Sequence, residues 1–129
     1  VSALEDLTFQ AQLLHGVECR CRSEGPAPQC GHLTAIHLYR ITQEAIHNAT
    51  RHGGARRIVV TLNSRGKEHR LSIRDDGKGF NAEAPGTATG AGLRLMSYRA
   101  NMIGGTFSIE SAPQRGTQVN VLFTTVSSK

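Results

Sequence analysis

Two pairs of alternating segments constrain this chain most. RRIVVTLNS and HRLSIRD are separated only by a turn in SRGKE, and TFSIES and TQVNVLF only by APQRG. In each segment apolar residues recur at every second position, the period of a strand with one buried face. Ile58, Val60 and Leu62 share one side of the first segment. Leu71 and Ile73 share one side of the second, which leaves Arg70, Ser72 and Arg74 outward. Strands joined so closely pair antiparallel. Around these hairpins the period changes. ALEDLTFQAQLLHG, residues 3–16, carries Leu4, Leu7, Ala11 and Leu14 at helical spacing and stops at Gly16. VECRCRS reads as a short strand and EGPAPQCG as a loop. A long helix is predicted over 33–52, ended by Gly53-Gly54. LRLMSYRANMIGG predicts a third helix that buries Leu93, Met96, Ala100 and Ile103. The predicted fold is α+β: a two-layer sandwich with a mostly antiparallel sheet and helices on one face. It is not the βαβ array of a dinucleotide-binding fold.

Composition limits the partners. The 129 residues suit a single domain, 1–129. A net charge of +5 permits an anionic ligand, but the basic residues are dispersed, with no stripe of interleaved aromatics that would point to nucleic acid. No apolar run approaches the roughly 18 residues that span a bilayer. There is no signal segment, so a cytoplasmic domain without membrane contact is expected. The chain does not start with Met, which fits a piece of something longer. Cys19, Cys21, Cys30 and His32 are metal-ligand types at a spacing looser than paired zinc sites use. Alternation along VECRCRS instead turns Cys19 and Cys21 toward a core as free thiols.

The long helix carries an unusual polar row. Glu44, Asn48 and His52 recur every fourth residue, so they line one side, flanked by His47 and Arg51. Leu38, Ile41, Ala45 and Ala49 occupy the neighbouring apolar side. An Asn in mid-helix works against local propensity. Two glycine-rich stretches follow downstream. Asp75-Asp76-Gly77-Lys78-Gly79-Phe80 stands at the end of a strand, and Gly90-Ala91-Gly92-Leu93 at the start of a helix. Between them lie about a dozen residues of Gly, Ala, Thr and Pro from Asn81, a length and composition typical of a functional loop.

Taken alone, each stretch is ordinary: a solvated face, a turn, a hinge. Together they make a nucleotide site. Gly90 and Gly92 bring phosphate close to the N–H groups and positive dipole end of a helix. Asn48 offers a neutral amide oxygen suited to Mg2+ beside phosphate oxygens. Glu44 is a carboxylate placed to accept a proton or orient a nucleophile. Asp75 can accept a hydrogen bond from an exocyclic amine, Gly77 and Gly79 leave room for a flat base, and the loop can close over it.

In this order the motifs resemble the ATP-binding domain shared by sensor histidine kinases, Hsp90, MutL and type II topoisomerases. QEAIHNATRHGGA resembles the N box, DDGKGF the first glycine box and GAGLRLMSYRA the second. IGGTFSIESAPQRGTQVNVLF resembles the histidine-kinase ending. The short loop and the RHGGA ending look most like the nitrate-sensor and desaturase-regulator type. The resemblance implies a Bergerat-type sandwich with a left-handed βαβ unit, holding ATP and Mg2+. It implies Asn48 as the metal ligand and Glu44 as the catalytic carboxylate. Asp75 would bind the adenine amino group, with Gly77 and Gly79 shaping the pocket and Thr117 supporting the base. Gly90, Gly92 and Leu93 would face the phosphates, with Arg51, His52 and Lys78 as further contacts. The implied partners are a dimerisation domain bearing the acceptor histidine and a downstream response regulator.

The chain departs from a complete kinase in one respect. No stretch reads as a dimerising hairpin, and His15 precedes a helix-ending Gly16 rather than an acidic neighbour. An isolated, monomeric catalytic domain without its own acceptor is expected. Two alternatives stay open at this level: an anti-sigma-factor-type Ser/Thr kinase, and a nucleotide-gated module without kinase chemistry.

Overall fold

The computed structural model describes residues 2–79 and 91–125. Residues 80–90, which include Gly90 and the whole loop before it, lie outside the described residues. The elements run α1 (Ser2–His15), β1 (Glu18–Glu24), α2 (His32–Arg51), β2 (Arg57–Arg65), β3 (Glu68–Asp75), α3 (Ala91–Met102), β4 (Thr106–Ser111) and β5 (Thr117–Thr124). The five strands form one sheet in the order β1-β2-β3-β5-β4. Both predicted hairpins form. In the first, Arg65 pairs with Glu68 across a two-residue loop whose first position, Gly66, has φ +63°. Glycine adopts that conformation without steric cost. In the second, Ser111 pairs with Thr117. The two hairpins join through β3 and β5, which run antiparallel from Glu68↔Thr124 to Asp75↔Thr117.

One pairing breaks the antiparallel pattern. β1 runs parallel to β2, from Glu18↔Arg57 to Glu24↔Asn63. α2 makes the crossover between them, as parallel neighbours require. The fold is therefore the α+β sandwich expected, with one βαβ unit.

The core lies between the helices and one face of the sheet. Ile58, Val60, Leu62, Leu71, Ile73, Val119, Val121 and Phe123 point into it at every second position. They meet Leu38, Ile41, Ala45 and Ala49 of α2, Met96 and Ala100 of α3, and Leu4, Leu7 and Ala11 of α1. Leu93 and Ile103, expected in the buried stripe of α3, pack partly buried against it. Leu14, on the same spacing in α1, is exposed near the helix end. Cys19 joins the core and Cys21 packs beside it. Burial pushes the Cys19 thiol up to about 11, so it stays protonated at neutral pH. Among the described residues no three His, Cys, Asp or Glu side chains cluster to hold a metal.

Candidate functional site

The site forms where α2, the end of β3, the start of β5 and the first turns of α3 converge. α2 ends on its own carbonyls: the N–H groups of His52 and Gly53 both donate to Asn48 O at 3.0 Å, and Ala55 N–H to Ala49 O. Gly54, at φ +60°, then turns the chain away. The carbonyl of Gly53 is left over, and Lys78 N–H donates to it at 2.8 Å. That bond ties the end of the Glu44–Asn48 helix to the segment after Asp75.

Close backbone approach explains the glycines of this segment. A Cβ on Gly77 would lie 2.7 Å from Gly53 O and 3.0 Å from the Asp75 carboxylate. Gly79 has φ +65°, and a Cβ there would lie 2.1 Å from Ala112 O. Gly116, at φ +78°, would meet Asp75 O at 2.1 Å. The room these glycines leave is filled by protein backbone. This modifies the sequence expectation that Gly77 and Gly79 leave open space for a flat base: they let three segments touch and so set the walls.

Asp75 is half-buried at the end of β3. Its Oδ1 accepts the Gly77 N–H at 2.8 Å. Burial raises its pKa above the ordinary 3.8. The Gly77 N–H opposes that, the neighbouring Asp76 charge adds to it, and the Thr117 N–H opposes it in turn. Opposite, the Thr117 hydroxyl lies 2.8 Å from Ser111 Oγ, and Ser111 also donates to Gly116 O.

A cleft of about 580 Å³ opens between these groups. Glu44, Asn48, His52, Asp75, Gly79, Gly92, Leu93 and Thr117 all line it. Its apolar wall is Ala45, Ala49, Ile73, Met96, Ile109 and Val119. Polar groups thus converge on an apolar slot, the usual character of a small-molecule site. Among the described residues, three expected ones do not line it. Gly77 lies buried behind Asp75, Lys78 is exposed, and Arg51 is exposed with its guanidinium donating to His47 Nε2 at 3.3 Å. His47, given no role from sequence, does line the cleft. α3 is held to α2 by Arg99, which donates to the buried His37 Nδ1 at 3.2 Å.

Sequence reasoning missed Asp76. Its Oδ1 accepts the N–H groups of Arg56 and Arg57, at 2.8 and 2.9 Å, so it pins the start of β2 to the Asp75 turn. Those bonds, the Arg57 N–H first, hold its carboxyl below the usual range. A lowered pKa contributes stability that is full above the unfolded value near 3.8 and lost as pH falls through the folded one. Asp76→Ala should therefore destabilise the domain by about 1 kcal/mol at neutral pH, a figure reduced for exposure. Urea unfolding at a series of pH values should show the difference from wild type shrinking in acid.

The fold and the cleft define a nucleotide-binding α+β sandwich. Residues 34–126 match the model of the family described as histidine kinase-, DNA gyrase B-, and HSP90-like ATPase. The chain belongs to that family. Sensor protein VraS of Staphylococcus saprophyticus is 44% identical over 85 residues, 66% of this chain and 24% of that protein. The VraS of Staphylococcus aureus strain COL gives the same identity and coverage. The chain thus spans about a quarter of the length of the curated relatives it matches. Among solved structures, the ATP-binding domain of PrrB from Mycobacterium tuberculosis is 25% identical at a TM-score of 0.77, over 98% of this chain and 93% of that one. The Acinetobacter baumannii histidine kinase AdeS shares the fold at a TM-score of 0.77 and 14% identity, over 95% of this chain and 63% of that one. In sequence the chain is thus similar to part of a sensor protein, and in fold to ATP-binding domains of that family.

Proposed function

We propose that this domain binds Mg-ATP in the cleft and donates the γ-phosphoryl group to a histidine on the dimerisation domain of a two-component sensor. One observation carries the reading: Glu44, Asn48, Asp75 and Thr117, far apart in sequence, open on a single slot of nucleotide size with apolar walls. Asp75 would accept the adenine amino group, and Thr117 would support the base from β5. His52, Gly92 and Leu93 would lie toward the phosphates, joined by Gly90 and, from the rim, by Arg51 and Lys78.

The donor chemistry at Asn48 fits a magnesium ion. Its side chain is half-buried in the cleft and hydrogen-bonds no described residue. A neutral amide oxygen is a hard ligand that leaves the ion's charge for the phosphates. Magnesium held there would supply charge neutralisation at the phosphate oxygens. Glu44, one turn earlier on the same helix face, would take the proton. The acceptor imidazole attacks γ-phosphorus with one nitrogen lone pair. The bond to the bridging oxygen breaks, and its electron pair leaves with ADP. The N–H proton of the other ring nitrogen passes to the Glu44 carboxylate. The domain itself contributes position and charge rather than a covalent intermediate.

The acceptor histidine would lie on a dimerisation domain outside residues 1–129, and the phosphoryl group would then pass to a response-regulator aspartate. ATP as co-substrate sets the domain in the cytoplasm, and by itself it would be monomeric. No described helix is long and apolar enough to cross a membrane.

Asn48→Ala tests the metal assignment. Mg2+ should strengthen ATP binding in the wild type and add little in the variant, with transfer reduced by about 100-fold. Mg2+-dependent affinity and transfer that survive the substitution would remove Asn48 from the metal.

A further inference from the structure

Gly92 differs from the other glycines of the site. A Cβ there would lie 2.4 Å from Oε2 of Glu44, 3.1 Å from its Cδ and 3.4 Å from its Cγ. Its three nearest neighbours are thus all atoms of one side chain. Gly77, Gly79 and Gly116 instead abut backbone carbonyls. Nor does the conformation of Gly92 call for glycine, since it is not among the positive-φ residues. Alanine would be the better helix former at this place in the first turn of α3. Besides the approach of phosphate proposed for Gly92, Glu44 thus gives a second reason for a glycine here.

We propose that Gly92 is a positioning residue for Glu44: the missing side chain lets the Glu44 carboxylate rest against the first turn of α3, inside the cleft. This rests on the reading of Glu44 as the proton acceptor. The seam around the pair is fixed. Met96 and Ala100 of α3 and Ile41 and Ala45 of α2 are buried, and Arg99 clamps α3 to His37. Only the Glu44 arm is free to give way. A methyl at position 92 leaves the fold intact and moves the carboxylate. Glu44 and Gly92 act as one unit, and the length of one sets the size allowed at the other.

A double-mutant cycle tests this. Gly92→Ala, Glu44→Asp and the pair are compared with wild type in two assays: calorimetric Mg-ATP binding, and phosphoryl transfer from radiolabelled ATP to the supplied dimerisation domain at saturating ATP. At saturating ATP, Gly92→Ala should lower transfer about 10- to 100-fold, a loss beyond whatever it costs in Mg-ATP affinity, as a misplaced group implies. In the Glu44→Asp background, where the shorter side chain no longer reaches the glycine, the same substitution should cost less than about twofold. An equal loss in both backgrounds overturns the proposal and leaves Gly92 acting through its backbone. If the wild type binds ATP yet transfers to no acceptor, the kinase reading fails separately. The crystal structure of Gly92→Ala then decides: a displaced Glu44 side chain supports the coupling, and an unmoved one overturns it.

Discussion

Asp75→Asn should weaken ATP binding by about 2 to 3 kcal/mol, roughly 30- to 150-fold, while the domain stays folded. The two halves of that prediction come from the two jobs of the side chain. Its Oδ1 already accepts the Gly77 N–H. An amide oxygen can keep that bond, so the turn after β3 survives. The remaining NH2 group would then face the exocyclic amine of adenine, donor against donor, in a half-buried site where an unmatched polar group is costly. The same geometry predicts a pH signature. Burial raises the Asp75 pKa above 3.8. ATP binds the carboxylate form, so affinity is full above the free-protein pKa and declines as pH falls through it. The decline should begin at a higher pH than an ordinary aspartate would give. Calorimetry on the Asp75→Asn variant over the same pH range measures what comes from the nucleotide's own titration. An identical profile in both proteins would take Asp75 out of base recognition.

Glu44→Gln should do the reverse, sparing binding and stopping chemistry. The amide has the size of the carboxylate, so it fits the space beside Gly92 that the carboxylate fills. What it loses is the capacity to accept the imidazole proton. Transfer should fall by about 10²- to 10⁴-fold, the range for a general base. ATP affinity should stay within about threefold of wild type. The two variants together separate recognition from reaction: one loses affinity, the other turnover. Equal losses of affinity in both would mean that Glu44 holds the nucleotide rather than the proton.

The parts of the site that sequence made legible are those written in a local period or a local motif. Glu44 and Asn48 stand out because four-residue spacing on a helix puts them on one side, and both line the cleft. Asp75 stands out because an acidic residue ends an alternating strand. The two hairpins were legible for the same reason, each being a short-range event. Long-range approach was not legible. Nothing in VECRCRS says that β1 lies parallel to β2, because that pairing is fixed by the crossover of α2 and by burial of Cys19. Nothing local says that β5 inserts between β3 and β4. Asp76 looks like half of a turn, yet its carboxylate reaches back about twenty positions to Arg56 and Arg57. Ser111 looks like a strand end, yet it holds the Thr117 hydroxyl. The glycines were found as a motif, but the reason for each needed the fold: Gly53, Gly77, Gly79 and Gly116 bring backbones together, whereas Gly92 admits a side chain. Arg51 and Lys78 stand differently. Their sequence neighbourhood suggested phosphate contacts, and both stand outside the cleft lining.

The most direct test of the account is an amide NMR titration of the wild-type domain with ATP, with and without Mg2+. The account predicts saturable one-to-one binding, stronger with the metal. The shifts should concentrate at residues 44–53 of α2 and the segment after it, residues 75–79, the first turns of α3, and Thr117. Saturable shifts centred elsewhere, or none at millimolar ATP, would contradict it.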